Sequence, residues 1–223
     1  MTDAHCHVSC GDSSVRELLV GRDFFGVHPW ETLGEFEVES LKLKVGEELR
    51  SKLLANPKAG VGEIGLDRLK VRDIPPLMRE VFESQLALAL ELRRPVVLHG
   101  AKCWGQVVAT IRKLTTHNSQ LTNFLFHGFS RSDGLIPEIV ELNGFISVGP
   151  AVLNDHAVNY RELVKKIPLD RLLVETDAVV GARVPTRPHI RDVLVKTADI
   201  LNLSAAELEK TTDENADRFL GAV

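Results

Sequence analysis

The sequence predicts an α/β fold of the (β/α)-barrel type, in which helices cover a wall of parallel strands. Short apolar runs alternate with amphipathic segments along the chain, a pattern typical of a parallel sheet buried by helices. Several apolar runs end in His, Glu or Asp, and in a barrel such strand ends meet at one face. No linker, low-complexity tract or repeat divides residues 1–223, so we expect a single domain.

Seven segments have the composition of strands. They are short apolar runs at residues 3–8, 24–27, 59–67, 95–99, 124–127, 145–148 and 171–177. The interval between the first two is too short for a further strand and helix, since a βαβ unit takes about 30 residues or more. We therefore predict a TIM-like barrel that is incomplete near its start, with seven parallel strands. A doubly wound open sheet is the alternative, but it gathers ligands at one crevice and fits these scattered strand ends poorly.

Amphipathic segments separate the predicted strands. Helices are expected at residues 13–21, 35–54, about 73–94, 102–114, 136–142, 158–166 and 189–202. Two more helices follow, one that begins with a capping box of Ser204 and Glu207 and a last one at residues 214–220. An unpaired edge in the barrel wall is costly unless something covers it. We expect the helix at 13–21, the C-terminal helices or a partner subunit to cover that edge.

The composition is that of an ordinary globular protein. The 223 residues carry a formal net charge of −4, so no overall basic field attracts nucleic acid, and such a partner must be held locally. The three cysteines, an odd number without a disulfide-like spacing, indicate a reducing compartment. The N-terminus does not have the pattern of a signal peptide, and no apolar run is long enough to span a bilayer. We expect a cytoplasmic protein without a membrane partner.

Six residues at the predicted strand ends have side chains that bind metal ions. They are His5, His7, Glu63, His99, His127 and Asp177. On a strand, residues i and i+2 point to the same face, so His5 and His7 present two imidazoles side by side, which suits a divalent transition metal. Each residue alone has an ordinary alternative: a solvated acid, a core histidine bonded to the backbone, or a helix N-cap. Their joint occurrence at several strand ends favours a metal site.

The motifs around these residues resemble those of the TatD-type metal-dependent deoxyribonucleases of the amidohydrolase superfamily. The matching segments, in the family's order, are DAHCH at 3–7, GVHPW at 26–30, GEIGLD at 62–67, PVVLH at 95–99, FHGFS at 126–130, ISVG at 146–149, LLVETD at 172–177 and ENADRFLG at 214–221. The resemblance implies a site with two divalent ions, which would be zinc, manganese or magnesium. His5, His7 and Asp177 would bind one ion, His99 and His127 would bind the second, and Glu63 would bridge them. Glu63 and Asp177 are the expected catalytic residues.

The chain departs from this family in the loops that would contact the substrate. A whole β/α unit is missing between DAHCH and GVHPW. Residues 100–102 stand where the family has a Ser-Arg-like pair, and residues 178–179 stand where it has Ala-Pro. The Arg- and His-bearing loop that normally follows is only partly matched, by Arg183, Arg187 and His189. The resemblance therefore defines the metal ligands better than the substrate.

Several side chains near the strand ends are candidates for holding phosphate groups. They are His28, Arg68, Lys70, Arg72, Lys102 and Arg131. The alternative for each cation is a solvated surface charge, and for the histidine a packed structural role. Trp30 and Trp104 would either stack on bases or cover the core. Glu175 shares a strand face with Asp177 and would either orient a metal ligand or bond to neighbouring strands.

The sequence therefore predicts a metal-dependent phosphodiesterase. Two cations about 3.5–4 Å apart stabilise both the attacking and the leaving oxygen of phosphodiester hydrolysis. DNA is the expected substrate, and removal of nucleotides from an end is the expected activity. One alternative is a metal-dependent hydrolase of a small amide or ester, and another is a non-catalytic binding protein descended from an enzyme. Because His5 and His7 would lie beside the missing unit, we expect their ion to be the more weakly bound.

Overall fold

The structure is a computed structural model, which describes residues 1–34, 38–115, 122–179 and 189–221. Every strand pair in these residues is parallel. The strands are β1 (Thr2–Cys6), β2 (Arg16–Leu19), β3 (Phe24–Phe25), β4 (Gly60–Asp67), β5 (Val96–Ala101), β6 (Phe124–Phe126), β7 (Gly144–Val148) and β8 (Leu172–Val174). Parallel strands that alternate with helices confirm the predicted α/β fold class.

The strands follow one another in chain order around the wall. β1 pairs with β2, β3 to β8 form a six-stranded sheet, and a single bridge connects β2 to β3. At the other end, the amide of His7 donates to the carbonyl of Ala178 at 2.8 Å, and the amide of Asp177 donates to the carbonyl of His5 at 3.0 Å. These bonds bring the chain after β8 against β1, so the predicted ligands of the first and last strands become neighbours.

The short segment between β1 and β3 differs from the sequence prediction. The helix predicted at residues 13–21 is wrong, because residues 16–19 form β2 and pair with β1. The described residues therefore contain eight strands rather than the predicted seven. Nine residues connect β1 to β2 and four connect β2 to β3, without a helix in either connection. Residues 7–23 thus contain no covering helix, and β2 gives β1 a partner on the side away from β8.

The helices agree with most of the predictions. They are α1 (Val38–Leu43), α2 (Leu49–Ala55), α3 (Pro76–Leu92), α4 (Trp104–Thr115), α5 (Ile136–Glu141), α6 (Val158–Val164), α7 (Ile190–Leu201) and α8 (Ala205–Leu220). A π-helical turn at Lys44–Glu48 joins α1 to α2, and residues 35–37 of the predicted helix lie outside the described residues. The separate last helix at 214–220 is wrong, because it is part of α8. None of the described helices is long and apolar enough to cross a membrane.

A layer of apolar side chains lies inside the curved sheet, two residues before the predicted ligands on the same strands. Its buried members are Ala4, Leu18, Phe24, Val97, Leu125, Phe145, Leu173, Ala216 and Phe219. Val97 precedes His99 by two positions on β5, and Leu125 precedes His127 by two positions at β6. Because side chains alternate between the two faces of a strand, this spacing turns both imidazoles towards the same interior. The layer therefore forms an apolar floor for the polar cluster.

A buried carboxylate connects β1 to the chain after β8. Asp3 is 3% exposed and accepts hydrogen bonds from the amide of Thr176 at 2.9 Å and from its hydroxyl at 2.6 Å. Burial raises the pKa of Asp3 from 3.8 to about 7, against the opposing effect of these bonds. Between these two values the folded protein holds a proton that the unfolded chain has released. The contribution of Asp3 to stability therefore falls as the pH rises from about 4 to about 7.

Replacing Asp3 with asparagine is expected to remove this pH dependence, because the side-chain amide has the same shape and no titrating group. Its oxygen can accept a hydrogen bond from the Thr176 amide, and its NH₂ group can donate one to the Thr176 hydroxyl oxygen. The free energy of unfolding of the variant relative to the native chain should rise between pH 4 and 7 by up to about 4 kcal/mol, at about 1.4 kcal/mol per pKa unit. Urea unfolding in the presence of a chelator measures it. Asp199→Asn, at an exposed position, is the control. Parallel stability curves for native chain and Asp3→Asn would contradict the assignment.

Candidate metal centre

Glu63 is the carboxylate on which the predicted ligands converge. It lies on β4 and is 4% exposed. One of its oxygens, Oε1, lies 2.6 Å from Nδ1 of His99 and 2.7 Å from Nε2 of His127. The other oxygen, Oε2, lies 3.2 Å from Nε2 of His7 and 3.4 Å from Nε2 of His5. The two oxygens of one carboxylate therefore face two different pairs of imidazoles.

Asp177 completes the cluster on the side of the first pair. Its Oδ1 lies 3.6 Å from Nε2 of His5 and 3.7 Å from Nε2 of His7, and its side chain is 45% exposed. The backbone of Asp177 has a φ of 48°, a left-handed conformation that is uncommon outside glycine. The ligand atoms of His5, His7 and Asp177 lie within 4.8 Å of one another, as do those of His5, Glu63 and His127. All six predicted metal ligands thus lie in one cluster.

Several buried ring nitrogens of this cluster have no hydrogen-bond partner within the described residues. They are both nitrogens of His5 and Nδ1 of His127. Buried polar atoms are normally hydrogen bonded, and an unpaired one calls for an explanation such as an ion. Imidazole nitrogens and carboxylate oxygens are also the ligands that zinc and related divalent ions take in proteins. The residues present therefore fit divalent cations.

The electrostatics of the cluster keep its central carboxylate ionised. Burial favours the neutral form of Glu63, but His127 and the other imidazoles outweigh it and hold the pKa of Glu63 well below its ordinary value. Burial also disfavours the charged form of His127, but Glu63 and Glu175 outweigh it and raise the pKa of His127 well above its ordinary value. A bound cation takes the place of such protons, because metal ligation requires deprotonated groups.

Two buried carboxylates contact the outer sides of the second pair of imidazoles. Glu175, which is 1% exposed, has Oε1 3.6 Å from Nδ1 of His127 and accepts hydrogen bonds from the Ser147 hydroxyl and the Gly128 amide. This position agrees with the expectation that Glu175 orients a ligand. Asp67, which is fully buried, lies on the outer side of His99 in the same way. Sequence reasoning missed Asp67 and Ser147; the signal for Asp67 was only a carboxylate at the end of an apolar strand.

Of the predicted substrate-binding residues, His28 lies in the cluster itself. Its Nε2 is 3.5 Å from Oε1 of Glu63, and its Nδ1 accepts a hydrogen bond from the Trp30 amide at 3.1 Å. Because Nδ1 is the acceptor, the neutral ring carries its proton on Nε2, which faces the cluster. His28 is thus arranged as a hydrogen-bond donor.

The predicted cations lie in the loops after the strands. Arg131, after β6, lines a cavity of about 950 Å³ that also includes Asp177. Arg68 is exposed after β4, and its Nε donates to the carbonyl of Arg72 at 3.0 Å. Lys102 is exposed after β5. The structure therefore brings Arg131 to the cavity beside the cluster, whereas Arg68 and Lys102 project from neighbouring loops.

The remaining candidates divide between rim and core. Trp30 is 42% exposed, and the ammonium of Lys70 lies 3.6 Å from the centre of one of its rings. Trp104 is 4% exposed and packs against Phe126 and Phe129, which is the core role of the two alternatives. His189 caps α7 by accepting a hydrogen bond from the Arg191 amide. Arg183 and Arg187 lie outside the described residues.

Comparison with known proteins agrees with the predicted resemblance. The family model described as "TatD related DNase" matches residues 21–221. The metal-dependent hydrolase YabD of Bacillus subtilis, named as uncharacterized, is 28% identical over 214 residues, which are 91% of this chain and 80% of YabD. The 3'-5' ssDNA/RNA exonuclease TatD of Pectobacterium atrosepticum is 30% identical over 204 residues, which are 86% of this chain and 75% of that enzyme.

A solved structure supports the fold independently. The crystal structure of YjjV, a TatD homologue from Escherichia coli K12, superposes with a TM-score of 0.71 at 23% identity. The match covers 94% of this chain and 78% of YjjV. At this level of identity the likeness shows the fold, and the chemistry must be argued from the site.

Proposed function

The chain belongs to the TatD-related DNase family of metal-dependent hydrolases, and we propose that it hydrolyses phosphodiester bonds of DNA, removing nucleotides from an end. The observation that carries the proposal is the position of Glu63, whose two oxygens face two pairs of histidines. This arrangement suits two divalent ions, with Glu63 between them. His5, His7 and Asp177 would hold one, and the other imidazole pair would hold the second. Zinc, manganese and magnesium are the candidates, and the histidine-rich ligand set favours the first two.

Divalent ions in this cluster would lower the pKa of a water molecule and stabilise the attacking and leaving oxygens of a phosphodiester. The protein supplies the group that accepts the proton of the attacking water, and we assign this role to a carboxylate oxygen of Asp177. Its side chain reaches both the cluster and the cavity.

The surroundings of the cluster suit a phosphate group in an acidic protein. His28 would donate a hydrogen bond from Nε2 to a phosphate oxygen, because this N–H faces the cluster. Arg131 would hold a neighbouring phosphate in the cavity that is lined by Asp177. Arg68 and Lys102 would contact more distant nucleotides of the DNA. Since the net charge is −4, bound cations would provide the local positive field that the chain as a whole lacks.

Hydrolysis of a small amide or ester is the competing function. Within the superfamily, a carboxylated lysine as bridging ligand would favour that chemistry. The described strands contain no lysine, and Glu63 lies in the bridging position. The relatives named 3'-5' ssDNA/RNA exonuclease TatD, from Pectobacterium atrosepticum and Klebsiella pneumoniae, further favour a nucleic acid.

Purified, metal-loaded protein is expected to release nucleotides slowly from end-labelled single-stranded DNA and to lose this activity when a chelator removes the metal. Assays on duplex DNA, RNA, a bis-aryl phosphate and an ester panel measure the substrate range, and the position of the label gives the polarity. Asp177→Asn, prepared in parallel, should be inactive, which excludes a contaminating nuclease. Asp199→Asn, at an exposed position, should retain activity. Intact DNA and intact bis-aryl phosphate together with a cleaved ester would establish the competing function.

A further inference from the structure

One oxygen of Asp67 connects a buried imidazole of the cluster to an exposed ring at its rim. Oδ2 of Asp67 lies 2.8 Å from Nε2 of His99 and accepts a hydrogen bond from the indole N–H of Trp30, also at 2.8 Å. The other oxygen, Oδ1, accepts a hydrogen bond from the amide of Leu69 at 2.5 Å. The side chain of Asp67 is fully buried. Three donors from three parts of the chain therefore fix the position of this carboxylate.

The contact decides which nitrogen of His99 is available to a metal ion. An ionised carboxylate only accepts hydrogen bonds, so Nε2 of His99 must carry a proton where it meets Asp67. The ionised Glu63 likewise attracts a proton to Nδ1 in the metal-free protein, and a bound ion replaces that proton. The ring that binds the ion then keeps its proton on Nε2 and has its lone pair on Nδ1. That nitrogen lies 2.6 Å from Oε1 of Glu63 and 3.4 Å from Nε2 of His127, on the inner side of the cluster. With the opposite tautomer, two lone pairs would face each other at Asp67, and an N–H would occupy the ligand position.

We propose that Asp67 is a positioning residue that holds His99 in the Nε2–H tautomer with Nδ1 towards the metal, and that Trp30 holds Asp67 in place. The inference rests on the proposed function only in treating His99 as a metal ligand. Groups that hydrogen bond to the outer nitrogen of a metal-bound histidine fix its tautomer and orientation, and they increase its basicity. Trp30 adds a link to the surface, because its ring is 42% exposed and is covered on one face by Lys70.

Asparagine at position 67 cannot reproduce this arrangement although it has the same size. If its oxygen faces His99 and Trp30, its NH₂ group meets the amide N–H of Leu69. If its NH₂ group faces His99 and Trp30, two donors meet it there. In either orientation at least one donor loses its acceptor, which destabilises the arrangement around His99. Trp30→Phe is the milder variant, because it keeps an aromatic ring at the exposed rim and removes only the N–H donor.

Two measurements on the zinc-loaded protein test the proposal, and neither requires DNA. Long-range proton–nitrogen NMR correlation identifies the protonated nitrogen of His99, and competition with a chromophoric chelator gives the zinc affinities. We expect the native chain to carry a proton on Nε2 and zinc on Nδ1. Asp67→Asn should weaken one zinc site by about 10- to 100-fold. Trp30→Phe should weaken the same site by a smaller factor. Lys70→Met, which leaves the N–H of Trp30 in place, should leave both readouts unchanged.

Zinc bound to Nε2 of His99, or Asp67→Asn and Trp30→Phe proteins with native zinc affinity, would overturn the proposal. A lower melting temperature with an unchanged tautomer and unchanged affinity would give Asp67 a structural role alone and would overturn it as well. If Asp67→Asn does not fold, Trp30→Phe decides the question, since its substitution lies at the exposed rim. A native chain with the expected tautomer and no nuclease activity would contradict the proposed function and leave this inference intact.

Discussion

Replacing Glu63 with glutamine is expected to reduce the proposed phosphodiester hydrolysis by about a thousandfold or more and to lower the metal content from the proposed two ions to one or fewer per chain. In the native chain, Oε1 faces His99 and His127, and Oε2 faces His5 and His7. Glutamine has one carbonyl oxygen, so it can serve one of these pairs at most. Its NH₂ group would then face the other pair, where it cannot bind a cation.

Elemental analysis of the dialysed protein and the initial rate on single-stranded DNA measure the two effects. Glu91→Gln is the matched control, because Glu91 is exposed and pairs with Arg50 on the surface. The control should keep both the metal content and the rate. A Glu63→Gln protein with two ions per chain and more than about a tenth of the native rate would show that Glu63 does not bridge the metals.

The strands that carry the site were predictable because each is an apolar run with a polar end. Buried parallel strands do not alternate apolar and polar residues along the sequence. Their carboxyl ends, however, all lie at the same face of the barrel. Val97 and His99 show the principle: two positions separate a core residue from a ligand on the same inner face. The same spacing turns the side chain of His127 to that face, although the sequence contains no information on the distance between the two imidazoles.

The segment that forms β2 was misjudged because a short apolar run fits two periodicities. Val15, Leu18 and Leu19 have the spacing of a helix face, and length alone does not separate a helix from a strand here. The segment forms a strand because it pairs with the edge of β1 and thereby gives the backbone groups of β1 hydrogen-bond partners. That partner comes from tertiary structure and is invisible in local sequence.

The contacts behind the ligands were the least predictable part of the site. Asp67 contacts His99 on the neighbouring strand β5 and Trp30 in the 3-10 helix at Pro29–Leu33. No fixed sequence spacing predicts these two contacts. Glu175 was easier, because it shares one face with Asp177 on the strand predicted at residues 171–177, although β8 itself ends at Val174. Sequence reasoning therefore grouped the residues that it had placed at strand ends, and it missed the contacts that Asp67 and Ser147 make behind them.

The two halves of the cluster are expected to bind metal with different affinities, the half with His5 and His7 being the weaker. The original reason for this prediction was a gap beside β1, which β2 removes. The structure supplies a different reason. His127 and His99 have side chains only 7% and 13% exposed. In the other half His5 is buried, but the side chains of His7 and Asp177 are 29% and 45% exposed. Greater contact with water lowers the free-energy cost of releasing an ion from the half that contains His7 and Asp177.

The hydrogen-bond partners of the histidine rings also favour weaker metal binding at His5 and His7. The outer nitrogen of His99 lies 2.8 Å from the carboxylate of Asp67, whereas neither ring nitrogen of His5 has a hydrogen-bond partner in the described residues. A ligand without such a partner must be oriented when the ion arrives, and loss of an orienting partner typically costs 10- to 100-fold in affinity. We therefore expect two binding steps that differ by at least about tenfold.

Stepwise addition of Co²⁺ to the metal-free protein, followed by its absorption spectrum and by calorimetry, resolves the two steps. His7→Ala should remove the weaker step and leave the tighter one near its native affinity, because the ligands at His99 and His127 are unchanged. His127→Ala should remove the tighter step. His156→Ala, a histidine at an exposed position outside the cluster, is the control and should keep both. Equal affinities in the native chain, or loss of the tighter step in His7→Ala, would show that exposure and orientation do not set the order of binding.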